Sequence, residues 1–477
     1  MSASFTISSA VATRDWSWAG RRVVVMGLGS FGGNLAVIRW LVGLGAEVTV
    51  TDRASADSLA DSCRAIADLP VRLHLGGHRE SDLSGADLLV VSPAVDKRSS
   101  PFVHQARELG IPWTSEMNLF IERCQGRIVG VTGSAGKSTV CAMIHAICVA
   151  ALDRSEPSFR TCLLGGNIGT SLLEKCATLS ADDLVVLELS SFQLEDLAVE
   201  DWYPEIAVLT GLSPNHLARH GSMQRYVDAK LDLLRAQAGR NAAQPDGRQP
   251  AVVCMADEPD IVSRVRRIVG GTGAKLHLTT LPQRERKLLV PGKHNQRNAE
   301  GAAAVAGLLG VPADIADAAL SEFEGLPHRL EWVTRIRGVD YLNDSKATSP
   351  VATTTALLAI DKPVVAIVGG QAKPGLDVQN LVDTLLARAR AVVCTGSCGP
   401  EWATILRQGC DKQPNLAFSR RSIQTAADLA EAVKLASQTA GDGDTVLFSP
   451  AAPSYDQFAN YEVRGDAFVR CVESLRG

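Results

Sequence analysis

The chain has no Cys-x-x-Cys pair and none of the cysteine–histidine spacings that hold a structural metal, although it contains 11 cysteines. Cys394 and Cys398 are the closest together. Scattered thiols of this kind fit reduced, buried or half-buried side chains and exclude a disulfide framework. No apolar run reaches the roughly 20 residues that a membrane helix needs, so membrane insertion is not expected. The opening MSASFTISSAVATRDWSW lacks a basic region followed by an apolar core and does not read as a secretory signal. A cytoplasmic protein is the expectation. There is no excess of positive charge either: the net charge is -4, which argues against a broad nucleic-acid-binding surface. Repeats of solenoid period and long low-complexity tracts are missing. The one clear polar loop is QAGRNAAQPDGRQP, 237–250. What is there is a length of 477 residues, 46% hydrophobic and 21% charged. That is too long for one core and ordinary in composition, so a soluble protein of two or three domains is expected.

The N-terminal stretch RRVVVMGLGSFGGNLAVIRWLVGLGAEVTVTD reads as strand, glycine turn, helix and second strand. VVVMG has the apolar continuity of a parallel strand covered on both faces. Gly27, Gly29 and Gly32 fit GxGxxG, and Asp52 ends the second strand, where a dinucleotide fold places an acid for a ribose hydroxyl. A lone GxGxxG leaves three readings open: a plain tight turn, a dinucleotide site, or a site for another nucleotide diphosphate. LLVVSPAV, 88–95, continues the α/β pattern with a further strand and loop.

The central signal is stronger. RIVGVTGSAGKSTVCAMIHAI is an apolar strand, a glycine loop and a helical pattern, best described as GxxGKST from Gly133. In Gly133, Ser134, Ala135 and Gly136 the glycines let backbone N–H groups face phosphate oxygens, and the helix N-terminus adds its dipole. Lys137 supplies a point charge for the β- and γ-phosphates, and Ser138 or Thr139 a hydroxyl for Mg²⁺. LVVLEL is a buried strand with Glu188 near its carboxyl end, the place for a metal ligand beside a phosphate loop. IAVLTGL followed by SPNH repeats the arrangement and sets Asn215 and His216 at a strand end. YVDAKLDLLRA is an amphipathic helix on which periodicity alone makes Lys230 a solvated surface lysine. Further along, PVVAIVGG, ARAVVCTG and GDTVLFSP are buried parallel strands separated by helical patterns, a second doubly wound unit. Lys373 lies in the loop after the first of these strands; taken by itself it reads as readily as a solvated loop lysine.

The set GSAGKST, GGNIG, ELSSFQLE, SPNH, YVDAK, GKHNQRN, GLPHRLE, NDSKATSP, GGQAK and SPAAPSYDQFANYEVRG resembles the Mur ligases, in the family's order and over nearly the whole chain. ELSSFQLE, GLPHRLE and the DQFANYEVRG ending point to the branch that adds D-glutamate. The resemblance implies an α/β fold of three domains: a Rossmann-like UDP-sugar domain over 1–125, a P-loop ATPase-like domain over 126–326 and a Rossmann-like amino-acid domain over 327–477. It also implies ATP and Mg²⁺ as cofactors, UDP-N-acetylmuramoyl-L-alanine and D-glutamate as partners, and a monomer. The γ-phosphate passes to the alanyl carboxylate, the glutamate amine attacks the acyl phosphate, and phosphate leaves. Such a reaction needs positioning and charge neutralisation more than covalent chemistry by the protein.

By the same resemblance, Lys137 neutralises the phosphates, while Ser138, Glu188, His216 and Lys230 hold metal, the last as a carbamylated lysine. Asn295 and Asn298 contact adenine, and Arg329 and Asp344 approach ATP. The glycine turn with Ser30 holds the UDP diphosphate and Asp52 lies near the uridine, which replaces the dinucleotide reading of that turn. Asn167, Ser190 and Gln193 form a surface for the UDP-sugar. Lys346, Thr348, Lys373, Ser454 and Tyr461 surround the incoming glutamate.

Five positions depart from the family pattern. Ser134 and Ala135 replace threonine and asparagine in the loop, Asn215 replaces an aspartate before His216, Ala372 replaces a glycine before Lys373, and Tyr461 stands where phenylalanine is more common. Other functions fit parts of the sequence: addition of L-glutamate to the same acceptor, a folate-type glutamate ligase, a weakly active nucleotide-binding regulator, or a dinucleotide oxidoreductase. The GKST loop argues against the oxidoreductase, which has no use for a triphosphate loop.

Overall fold

The computed structural model describes residues 13, 15–29, 33–169, 171–197, 202, 204–212, 217–238, 249–271, 273–279, 285–371, 378–412 and 422–476. Ser30, His216 and Lys373, with Asn215 and Ala372, lie outside the described residues, as does most of the polar loop 237–250. The chain divides into two compact units, Met1–Thr280 with Glu300–Ala316, and Leu281–Ala299 with Asp317–Gly477.

The first unit carries two parallel sheets. One has the order β3-β2-β1-β4-β5, built from β1 (Arg22–Met26), β2 (Glu47–Asp52), β3 (Arg72–Leu75), β4 (Leu88–Val91) and β5 (Trp113–Thr114). Val23, Val24 and Val25 are all buried. Both faces of β1 are covered, and the strand has no polar side to turn outward. The other sheet has the order β11-β10-β9-β6-β8-β7. It comprises β6 (Arg127–Thr132), β7 (Thr161–Gly166), β8 (Asp183–Glu188), β9 (Ile206–Leu209), β10 (Ala251–Cys254) and β11 (Lys275–Leu278). Central β6 lies between β8 and β9. Val131 is in register with Glu188 and Thr132 with Leu209, so three carboxyl ends stand side by side. Ligands of open α/β sheets bind beyond such ends.

The second unit carries a sheet of order β12-β13-β17-β14-β15-β16. Its strands are β12 (Glu331–Ile336), β13 (Val339–Asn343), β14 (Val364–Gly369), β15 (Ala389–Thr395), β16 (Ile423–Thr425) and β17 (Thr445–Phe448). Only β12 runs antiparallel to its neighbour. The expected α/β architecture is therefore present, with two parallel sheets and one mixed sheet, and the apolar runs read as strands are β1, β4, β6, β8, β9, β14, β15 and β17. All eleven cysteines are free, most of them buried.

One expectation fails. Lys230 was read as solvated, yet it is 2% exposed. Its helix, Met223–Ala238, buries Tyr226, Val227, Ala229, Leu231, Leu233 and Leu234 as well. Tyr226, Val227, Leu233 and Leu234 lie three or four residues from Lys230 and so share its face. The helix lies between its own sheet and the helices Ser191–Asp196 and Pro259–Gly270, which covers this apolar stripe and the lysine within it.

Candidate active site

The loop after β6 is held by its neighbour β9. Ser134 N donates to the Gly211 carbonyl at 2.9 Å, and Thr210 Oγ1 donates to the Ala135 carbonyl at 2.6 Å. Gly133 sits at φ 150°, and a Cβ there would run into the Thr210 side chain. Only glycine allows the strand to turn this close to β9. Gly136 caps the 18-residue helix Lys137–Arg154, whose first turn carries Lys137, Ser138 and Thr139, all half-buried. A helix N-terminus with its dipole and an ammonium thus meet at one spot.

Glu188 ends β8 beside this loop, 2% exposed. Its Oε1 accepts from Asn167 Nδ2 at 3.0 Å, while its Oε2 is buried without a hydrogen-bond partner. A buried carboxylate oxygen left bare is costly unless a cation meets it. Asn167 is itself fixed by its N–H on the Glu188 carbonyl at 2.8 Å. Gly166, at φ 92°, makes room, because a Cβ there would collide with that carbonyl. Lys230 faces the same region. Burial first, and then the Lys137 ammonium, pull its pKa down to about 7, against the opposing pull of Glu188. Its Nζ lies 4.6 Å from the Tyr226 ring centroid, and the Tyr226 hydroxyl meets Ser134 Oγ at 2.9 Å. Tyr226 escaped the sequence reading. It lies four residues before Lys230 on the same helix, a spacing that puts the two side chains on one face.

On the acceptor side, Ser190 and Gln193 form a capping box at the start of the helix Ser191–Asp196. Gln193 Oε1 accepts from Ser190 N at 2.9 Å, satisfying two helix-end donors at once. In the first sheet, Asp52 turns its carboxylate onto the glycine turn. Oδ2 accepts from Leu28 N at 2.8 Å and Gly29 N at 3.1 Å, and Oδ1 from Ala54 N at 2.9 Å.

The second unit gathers the remaining described positions. Asn295 and Asn298, both buried, meet Nδ2 to Oδ1 at 3.2 Å. Arg329 is exposed between His328 at φ 65° and Leu330 at φ 43°. Two left-handed non-glycine residues cost on the order of 1 kcal/mol each, and strain of this kind concentrates at functional sites. Burial pushes Asp344 up to about 7, although Ser449 Oγ donates to it at 2.7 Å and Leu330 N at 3.2 Å. Lys346 is exposed, its Nζ 5.2 Å from the Tyr461 ring centroid. Thr348 is half-buried and Ser454 buried. Arg464, absent from the sequence reading, ties these loops together. Its Nη2 donates to the Ser345 carbonyl at 2.7 Å and its Nη1 to the Ala452 carbonyl at 2.9 Å. His328 is the other omission. Its ring fills the space over Gly465, where a Cβ would clash with Nδ1.

Three family models match in chain order: "Mur ligase MurD-like, N-terminal domain" over 21–115, "Mur ligase middle domain" over 131–306 and "Mur ligase, glutamate ligase domain" over 328–452. The chain is 36% identical over 470 residues to the UDP-N-acetylmuramoylalanine–D-glutamate ligase of Symbiobacterium thermophilum, covering 95% of this chain and 98% of that one. The chain belongs to the Mur ligase family. The Roseiflexus relative of the same name is likewise 36% identical, with 96% and 99% covered. Among solved structures, the UDP-N-acetylmuramate–alanine ligase MurC of Thermotoga maritima matches with a TM-score of 0.54 at 20% identity, over 95% and 99% of the two chains. MurF of Acinetobacter baumannii matches at 0.53 and 14% identity, over 96% and 93%. Both support the fold. No helix among the described residues of this Mur ligase is long and apolar enough to cross a membrane.

Proposed function

We propose that this Mur ligase joins D-glutamate to UDP-N-acetylmuramoyl-L-alanine, converting ATP to ADP and phosphate through an acyl phosphate, in the supply of peptidoglycan precursor. The observation that carries the reading is the meeting of the GKST loop, the half-satisfied Glu188 and the low-pKa Lys230 at the carboxyl ends of β6 and β8. The alanyl carboxylate oxygen attacks the γ-phosphorus and ADP departs. The glutamate nitrogen then adds to the carbonyl carbon, and the tetrahedral intermediate expels phosphate. Lys137 and the helix N-terminus hold the β- and γ-phosphates and offset the charge that shifts toward ADP. Asn167 keeps the Glu188 carboxylate in one orientation. Glu188, Ser138 and a carbamylated Lys230, joined by His216, would hold Mg²⁺. An ion held by these residues would supply charge neutralisation to the phosphates.

The residues fit such an ion: they offer hard oxygen donors, one of them bare. No group of three or more His, Cys, Asp and Glu side chains clusters among the described residues, so the set depends on the hydroxyl and on the carbamate. A Lys230 amine with a pKa of about 7 is largely neutral just above that pH, which carbamate formation from CO₂ requires, with release of one proton. Duties divide over the boundaries 1–125, 126–326 and 327–477: the UDP end of the acceptor, ATP phosphates with the acceptor carboxylate, and glutamate. Asn295 and Asn298 serve adenine, and Arg329 and Asp344 serve the nucleotide. Lys346, Thr348, Lys373, Ser454 and Tyr461 serve glutamate, whose two carboxylates suit two lysines. The enzyme acts as a cytoplasmic monomer. Phosphate release from ATP tests this reading: it is expected only when acceptor and D-glutamate are both present. Release that ignores either one would refute it.

A further inference from the structure

The loop after β4 is tied to the central domain by more than the function above uses. Lys97 is 2% exposed, and its Nζ donates to Asp196 Oδ2 at 2.6 Å. Asp196 is 4% exposed and ends the helix Ser191–Asp196; its carbonyl accepts from buried Asn118 at 2.9 Å. Two further ties flank this pair. Arg219, stacked 4.5 Å over Phe192, donates to the carbonyls of Ala94 and Val95, each at 3.0 Å. Arg98 Nη2 donates to Glu195 Oε1 at 2.9 Å.

The two ends of these ties lead to two parts of one ligand site. Ser92 starts the loop 93–98 and touches the nucleotide turn: its N–H donates to the Met26 carbonyl at 3.1 Å. A Cβ at Gly27 would stand 3.1 Å from the Ser92 Cβ. At the other end, the helix Ser191–Asp196 is capped by Ser190, two residues after Glu188. A buried ion pair adds little stability over an apolar pair of equal volume, but it is directional and fixes a register.

We propose that the Lys97–Asp196 pair is a positioning device that sets the distance between the turn receiving the acceptor's nucleotide diphosphate and the β8 end receiving its sugar and alanine. The proposal rests on the ligase reading. A ligand held at both ends gains from a fixed spacing, because binding one end presents the other at high effective concentration. UDP alone, held at one end, gains nothing. Loss of the pair therefore weakens the complete acceptor selectively.

The test uses the double variant Lys97→Met with Asp196→Leu, which replaces the ions by apolar side chains and so leaves no charge buried alone. Binding of UDP, of UDP-N-acetylmuramoyl-L-alanine and of ATP is measured by calorimetry, with kcat and KM alongside. The expected result is acceptor affinity about tenfold weaker, with UDP and ATP binding unchanged and kcat at saturating acceptor held within about twofold. Asp196→Asn, a milder change that keeps the shape, is expected to give the same split at about threefold. Equal weakening of UDP and acceptor, or none of either in both variants, overturns the proposal. Wild-type protein that binds UDP but not the complete acceptor overturns the functional reading, and the positioning role with it.

Discussion

Two glycine turns in one compact unit begin from the same plan, a buried parallel strand running into a helix, and end with opposite electrostatics. After β1, the amides of Leu28 and Gly29 are taken by the carboxylate of Asp52. After β6, the loop is fastened by Thr210, Gly211 and Tyr226 and by the Lys137 ammonium on the Ser134 carbonyl at 3.5 Å. Lys137 and buried Lys230 stand near enough for each to disfavour the other's charge. The first turn thus has its amides already bonded to an anion and offers shape. The second sets the Lys137 ammonium and a helix N-terminus at one spot. On the proposed reading, the same backbone motif serves a diphosphate in one place and a reacting triphosphate in the other, and the nearest acid or lysine distinguishes them.

The comparison breaks first at Lys137. Lys137→Ala is expected to lower kcat by at least about 10²-fold with the circular-dichroism spectrum unchanged; a folded variant with near-normal turnover would remove the loop's assigned role. Next in size is Asn167→Ala, which frees the Glu188 carboxylate to turn. The concentration of Mg²⁺ giving half-maximal activity should rise by about 10-fold, as for other lost outer partners of metal ligands, and a titration of activity against Mg²⁺ reads it directly. The first turn should respond differently. Asp52→Ala loosens it, so acceptor KM should rise several-fold, about 1 kcal/mol for lost hydrogen bonds to a charged group, while ATP KM and kcat stay as they are. Steady-state kinetics with each substrate varied separates the two turns.

The smallest effect concerns Asp344, whose pKa is raised from 3.8 to about 7 by burial. Between these values the folded protein binds more protons than the unfolded chain, so stability falls as pH rises from about 4 to 7 and is level above that. Asp344→Asn should flatten this part of the curve in urea denaturation at several pH values, and an unchanged slope would contradict the burial argument.

Much of this was legible beforehand. β6, β8 and β14 are short apolar runs with glycine or an acid at the end, and a fully buried parallel strand has no other way to be written. GKST marks the glycine turn between β6 and the helix Lys137–Arg154 for the same reason: few residue types allow so tight a strand-to-helix turn. What escaped was decided by tertiary neighbours. Lys230 reads as solvated by its charge; its place in an apolar stripe is visible in the helix, but Glu188 and Lys137 beside it are not. Nothing in EVTVTD says that the Asp52 carboxylate folds back onto the amides of Leu28 and Gly29. Arg464 lies 119 residues from Ser345, a distance over which no local period carries information.

The central claim is which amide bond is made. The direct measurement is mass spectrometry of the product formed from UDP-N-acetylmuramoyl-L-alanine, ATP, Mg²⁺ and a panel of amino acids that includes both glutamate enantiomers, aspartate and glutamine. The account predicts an acceptor heavier by one glutamyl residue, formed with D-glutamate and hardly at all with the others. Faster incorporation of L-glutamate, or no product with either enantiomer, would contradict it.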